Sequence, residues 1–277
     1  MSKLVRILLP VSNQGTTEAC RDAAFRLAID SGAELEVLHL CAAAWQRLPY
    51  STELSPLYSQ ELVDIGREQI VQEQAQAKAW FEQAAKVHAC STARFQTIEG
   101  FLTTVVTSRA RVADLSVVPS IAAAGDEFWA GVRDAVLFQS GRPALVVPDG
   151  ASSAFGETVV VAWKDGVEAV RAVAAAAPFF AKAASVNLLS VAESDEDDPS
   201  LAAMAEYLTL SGLKVDASRI AAPAGGVAKT LLGEASAKPG ALLVMGAYGH
   251  WRWREWVFGG VTQEVLRDTT LPVLMAH

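Results

Sequence analysis

Two hydrophobic rhythms alternate along this chain. Short, nearly continuous apolar runs read as buried strands, and longer stretches with an apolar residue every three or four positions read as helices. The first run, 5–11, leads into a turn rich in Ser, Asn, Gly and Thr over 12–17. Thr16 or Thr17 is placed to cap the next helix, whose apolar stripe is Ala19, Ala23, Ala24 and Leu27. Gly32 stands where a helix-ending glycine belongs. A second strand over 35–40 is followed by 43–58, an irregular stretch with two prolines. A long helical pattern then covers about 60–87, with Leu62, Ile65, Ile70, Ala75 and Ala79 on its apolar face. A strand at 95–98, a helix at 103–110, a buried strand at 115–118 and a helix including 134–138 come next. Ser140, Gly141, Arg142 and Pro143 break that helix, and 144–147 is a fifth strand.

Turn formers fill 148–153, and the order then restarts. The run 159–163 matches 7–11, 186–191 matches 35–40, and 242–245 matches 115–118. Helices are expected at 168–177, 201–210 and 227–237, a strand at 215–220, and a helix over 262–267 before a last apolar run ending at Met275. Strand–helix alternation of this kind predicts an α/β fold with parallel sheets covered on both faces and right-handed crossovers. The duplication predicts two such units, 1–148 and 155–277. Each ends in a short strand, and a terminal strand at a sheet edge must be paired or protected. Pairing Ala144–Val147 with 273–275 solves both problems at once, giving an intramolecular pseudo-dimer.

Composition narrows the function. The chain of 277 residues is 51% apolar, ample for two cores. Its 31 acidic and 23 basic residues leave a formal charge of −8, which argues against nucleic-acid binding as the main role. No run reaches the roughly 18 apolar residues of a membrane span, and the run after Leu4 is too short for a signal peptide, so a cytoplasmic protein without a membrane partner is expected. Cys20, Cys41 and Cys90 form no CxxC pair and read as reduced thiols. His39, His88, His250 and His277 have no metal-ligand spacing with them. The sequence holds no Ser-His-Asp set and no GxxxxGK[ST] loop, so any catalysis is expected to be at most a slow ATPase.

One stretch carries candidate chemistry. After the run 241–245 come Gly246, Gly249, Gly259 and Gly260, and then a helix start. Glycines at a strand end let backbone amides approach a phosphate, and a helix N-terminus favours an anion. An ordinary surface connection would use glycines in the same places. Between them lie Trp251, Trp253, Trp256 and Phe258 with Arg252 and Arg254, which read as a lid, an interface patch or packing against the sheet.

These residues resemble the universal stress protein family in its tandem form. Gly246, Gly249 and Gly259 match the G-x2-G-x9-G spacing of nucleotide-binding members. The stretches Val161-Ala162-Trp163-Lys164-Asp165 and Ser140-Gly141-Arg142-Pro143 also resemble tandem members. The resemblance implies two five-stranded, Rossmann-like sandwich domains of the adenine nucleotide alpha hydrolase-like kind. It also implies ATP or AMP as ligand, and dimer formation through the last strand. Carried over by position, the nucleotide-binding residues are Ala162, Trp163, Lys164, Leu189, Gly246, Gly249, His250, Arg252, Gly259, Gly260, Val261 and Thr262. Gly260 replaces the family's Ser or Thr, and Lys164 stands where an Asp is usual. Thr262 is either a helix cap or a ligand contact. In the first half, Pro119 and Ala122 replace the first two glycines, Gly131 falls opposite Gly260, and Arg133 falls opposite Thr262. Pro119 has no amide hydrogen to offer, and Ser12-Asn13 replaces the usual Asp-Gly. A nucleotide site of the usual kind is therefore expected only in the second half. The alternative is a stress or scaffold protein that binds no nucleotide and acts through partner contacts or another small ligand.

Overall fold

The computed structural model describes residues 3–42, 56–120, 127–192, 199–223, 226–247 and 260–277. Their elements follow the alternation read from the sequence. In the first half these are β1 (Arg6–Val11), α1 (Glu18–Ser31), β2 (Glu34–Cys41), α2 (Pro56–His88), β3 (Ala93–Glu99), α3 (Leu102–Ala110), β4 (Leu115–Pro119), α4 (Glu127–Gln139) and β5 (Ala144–Val147). The second half has β6 (Thr158–Ala162), α5 (Val167–Ala175), α6 (Ala177–Phe180), β7 (Ser185–Ala192), α7 (Pro199–Leu210), β8 (Val215–Ala221), α8 (Val227–Ser236), β9 (Ala241–Gly246), α9 (Gly260–Asp268) and β10 (Val273–Ala276).

The ten strands among the described residues form one sheet in the order β3-β2-β1-β4-β5-β10-β9-β6-β7-β8. Each half repeats one plan, with its first strand central and its third strand at the outer edge. Every pairing is parallel except one. β5 and β10 run antiparallel, with Val273 opposite Val146, Leu274 opposite Leu145 and Met275 opposite Ala144. This is the pairing expected from the two short terminal strands, and it buries both edges against each other. The inner strands are largely apolar on both faces because helices cover both, whereas the edge strands β3 and β8 carry exposed polar residues. One face carries a core that includes Phe25, Trp163, Phe179, Phe180 and Leu208, and the other includes Val132, Leu137, Leu231, Val265 and Leu266.

Local signals at α1 hold as read. Thr17 caps it, its hydroxyl accepting from the Cys20 amide at 3.3 Å, and Gly32 ends it at φ 66°. Four expectations shift. Pro56 begins α2 instead of lying in irregular chain, because proline suits a first helical turn. Along the described part of α2 the buried positions are Gly66, Ile70, Ala77 and Ala84, whereas Ile65, Ala75 and Ala79 are exposed, and the side chain of Leu62 lies outside the described residues. Alanine carries little pattern information, so the stripe could be misplaced by a residue or two. α5 ends at Ala175, and Pro178 lies in the first turn of the separate α6. Gly131 sits inside α4, four residues beyond its start at Glu127, and so is not at a strand-to-helix junction.

A buried ion pair links two elements of the first half. Glu36 on β2 is 4% exposed and accepts from Arg109 of α3 at 2.6 and 2.7 Å. This bidentate pair ties one helix of the second face to the sheet. Among the described residues no helix is long and apolar enough to cross a membrane.

Candidate functional site

β6 is flanked by β7 on one side and β9 on the other. The helix after β6 packs on one face of the sheet, and those before and after β9 pack on the other. The carboxyl ends of β6 and β9 therefore form the crevice in which ligands settle in open α/β sheets. Ala162 pairs with Met245 and with Leu189, so the last residue of β6 lies level with the residue before the end of β9 and with a residue three short of the end of β7.

The individual residues take different places there. Ala162 is half-buried at the strand end, and Lys164 is exposed just beyond it. Trp163 is 5% exposed and turns into the core beneath α7, its indole N–H donating to Ser200 Oγ at 3.0 Å. Its backbone N–H donates to the Leu189 carbonyl at 2.8 Å. Leu189 itself is buried in the opposite core. What Trp163 and Leu189 can present to the crevice is thus backbone, not side chain.

Gly246 ends β9 hard against the first turn of α5. A Cβ there would lie 2.7 Å from the Ala169 nitrogen and from the Glu168 carbonyl carbon. Glycine is required for the close approach of helix to strand, a packing reason that exists beside any ligand. Gly260 is exposed in the first turn of α9, Val261 is half-buried, and Thr262 is buried in that turn. Thr262 lies inside the helix and is not its cap. Gly249, His250, Arg252 and Gly259, together with Trp251, Trp253, Trp256 and Phe258, lie outside the described residues.

The chain's last residue reaches this region. His277 Nδ1 lies 2.9 Å from the Ala247 carbonyl, and the Ala247 N–H donates to Ala276 at 2.8 Å. The His277 ring meets Phe138 of α4 edge-on at 5.5 Å. The entry to the glycine stretch is therefore pinned by β10 and buttressed from the first half.

The corresponding crevice of the first half is differently built. β4 ends on Pro119, and Ser12 and Gly15 close a tight turn through reciprocal backbone hydrogen bonds of 2.9 Å. Trp80 of α2 lies on that turn, and Gly15, at φ 87°, has no room for a side chain. A cleft of about 440 Å³ opens beside it, lined by Ser12, Asn13, His39, Glu73, Phe128 and Trp129 among others. No motif in the sequence marks His39, Glu73 or the aromatic pair for a ligand role. A signal was present in Glu73, a carboxylate in the α2 stripe between Ile70 and Ala77. The three cysteines are buried thiols, and burial pushes the Cys20 thiol up to about 12, which removes it as a nucleophile at neutral pH.

No family model and no curated protein matches the sequence. Solved structures do match its fold. A universal stress protein from Archaeoglobus fulgidus DSM 4304 is similar over 98% of this chain and 95% of its own, with 18% identity and a TM-score of 0.68. A protein of Pseudomonas aeruginosa PAO1 whose function is unknown is similar over 99% of this chain and 92% of its own, with 12% identity and a TM-score of 0.59. A third, from Pseudomonas aeruginosa UCBPP-PA14 and assigned to the universal stress proteins, is similar over 99% and 93%, with 14% identity and a TM-score of 0.57. The chain has the fold of the universal stress proteins in a tandem arrangement, with both copies of that fold in one sheet.

Proposed function

We propose that this protein is a cytoplasmic stress-response protein of the universal stress type, with domains at 1–148 and 155–277, that binds ATP or AMP in its second domain. One observation carries the reading: a glycine-flanked strand end, β9, meets the first strand β6 at the switch point, with the start of α9 facing the same crevice. The site residues in this reading are Ala162, Trp163, Lys164 and Leu189 from the two strands. From the glycine stretch and helix they are Gly246, Gly249, His250, Arg252, Gly259, Gly260, Val261 and Thr262. Backbone of Trp163 and Leu189 meets the adenosine, and amides at the start of α9 meet phosphate. No metal is called for, and the protein holds the nucleotide and does not turn it over. Nucleic acid is not a partner at a charge of −8.

The test is equilibrium titration of the full chain with ATP and AMP by calorimetry. One saturable site per chain is expected, lost in Gly249→Pro. Absence of saturable binding at millimolar nucleotide would overturn the reading. It would leave the alternative, a stress or scaffold protein acting through self-association into a homodimer, partner contacts or another small ligand. The packing role of Gly246 favours that alternative, because it accounts for one motif glycine without a nucleotide.

A further inference from the structure

We infer that the outer edge of the second half, β8 with α7 above it, is an interface for a second copy of this chain, the two β8 strands pairing antiparallel about a twofold axis. β8 ends the sheet and has no outer neighbour among the described residues. The Val186 N–H donates to the Lys214 carbonyl at 3.2 Å, and Val186 stands opposite Val215. In a parallel pair, alternate residues turn both backbone groups to the neighbouring strand. Asp216 and Ser218 therefore face β7 with their backbone, and the amides and carbonyls of Val215, Ala217 and Arg219 point outward. Such a row is a template for another strand. Ala192, Pro199, Pro223 and Gly226 bound the nearest stretches outside the described residues, and all four sit at the carboxyl end of the sheet. Val215 and Ala217 stand toward the other end.

Side chains distinguish this edge from the opposite one. Beside β3, the helix α2 exposes Arg67, Glu68, Lys78, Glu82 and Lys86, the kind of charge that guards an edge. In the duplicated plan α7 takes the place of α2, packing on β7 and β8. Its sequence holds one charge, Glu206. Tyr207 is 59% and Leu210 81% exposed, and Ala202, Ala203 and Thr209 are exposed beside them. A helix that is apolar on its outward face as well as its inward one needs a further partner.

Symmetry names the occupant. The fold closes one edge in this way within the chain, where β5 and β10, the last strands of the two halves, pair antiparallel. A twofold axis normal to the sheet does the same for β8 and its copy, and one contact satisfies both edges. A register centred on Ala217 sets Asp216 opposite the copy's Ser218 and Val215 opposite the copy's Arg219, so like charges do not face each other. The axis keeps both α7 helices on one face, over strands about 4.8 Å apart, which brings them within packing reach. Molecules that each carry −8 meet best where charge is sparse. A strand of 7 residues and a helix of 12 on each side make a small interface, so the dimer dissociates on dilution. This inference does not depend on nucleotide binding.

Sedimentation velocity of the full chain, from about 1 to 500 µM, tests it, with a monomer–dimer Kd of about 10–100 µM expected. Ala217→Pro removes an outward amide hydrogen and no bond to β7, and is expected to weaken dimerisation about tenfold or more while far-UV circular dichroism stays that of the parent. Thr209→Glu adds a like charge to each α7 and is expected to weaken dimerisation about tenfold, less so in high salt. It provides an independent check should Ala217→Pro not fold. A chain that is monomeric across the range, or a dimer constant unchanged in both variants, would overturn the inference.

Discussion

At the scale of single residues, two glycines of one motif separate into two roles. Gly246 is held by packing, because a Cβ would collide with backbone atoms of Glu168 and Ala169. Backbone cannot swing aside as a side-chain tip can. Gly246→Ala is therefore expected to destabilise the protein by about 1–3 kcal/mol, read as a lower urea midpoint. Gly260 is the opposite case. It is exposed, and the nearest described atom to an added Cβ is the flexible Glu264 carboxylate at 3.7 Å. In the proposed nucleotide site, Gly260→Ser restores a hydroxyl beside the phosphates. A hydrogen bond to a charged group contributes about 1.5 kcal/mol, so ATP should bind about tenfold more tightly in the calorimeter. No change in affinity would separate Gly260 from the phosphates.

Between elements, the Glu36–Arg109 pair joins β2 to α3, and α3 opens the wall of the first-half cleft. Glu36 is buried, while Arg109 keeps 29% of its side chain in solvent. Arg109→Met leaves the carboxylate without its partner. The expected loss is about 3 kcal/mol, at the low end for a broken buried pair because the arginine side is partly wet. Adding Glu36→Leu to that variant removes the stranded charge and should recover much of the loss. Denaturant melts of both variants measure this, and a double variant no better than the single one would rule out charge burial as the cause.

At the scale of the whole molecule, β5 and β10 are each other's cover. They are the antiparallel seam of an otherwise parallel sheet, and each half alone would leave a short apolar edge open to water. A fragment of residues 1–148 is therefore expected to self-associate, through two copies of Ala144–Val147 pairing in place of β10. Analytical ultracentrifugation should find dimers or larger species where the full chain runs as a smaller unit per fold. A fragment that stays monomeric and folded would show that the seam is dispensable. The same seam places Phe138 of the first half against His277, so the entry to the second-half crevice is finished by the other half.

The amino-acid sequence by itself determined the alternation of strand and helix, the duplication, the caps of α1 and the pairing of the terminal strands. These are legible because they are local or periodic. A strand buried on both faces must be apolar throughout, a helix end needs its cap, and a repeated order needs no contact to be seen. The glycine stretch was legible as a motif, but its meaning was not. Only the tertiary structure decided that Gly246 lies under the first turn of α5, that Trp163 turns into the core to meet Ser200, and that Thr262 is inside α9. It also brought Glu73, Phe128 and Trp129 together around one cleft. Those residues come from helices far apart in the chain, and the sheet's twofold plan, not any local pattern, sets which side chains face each other.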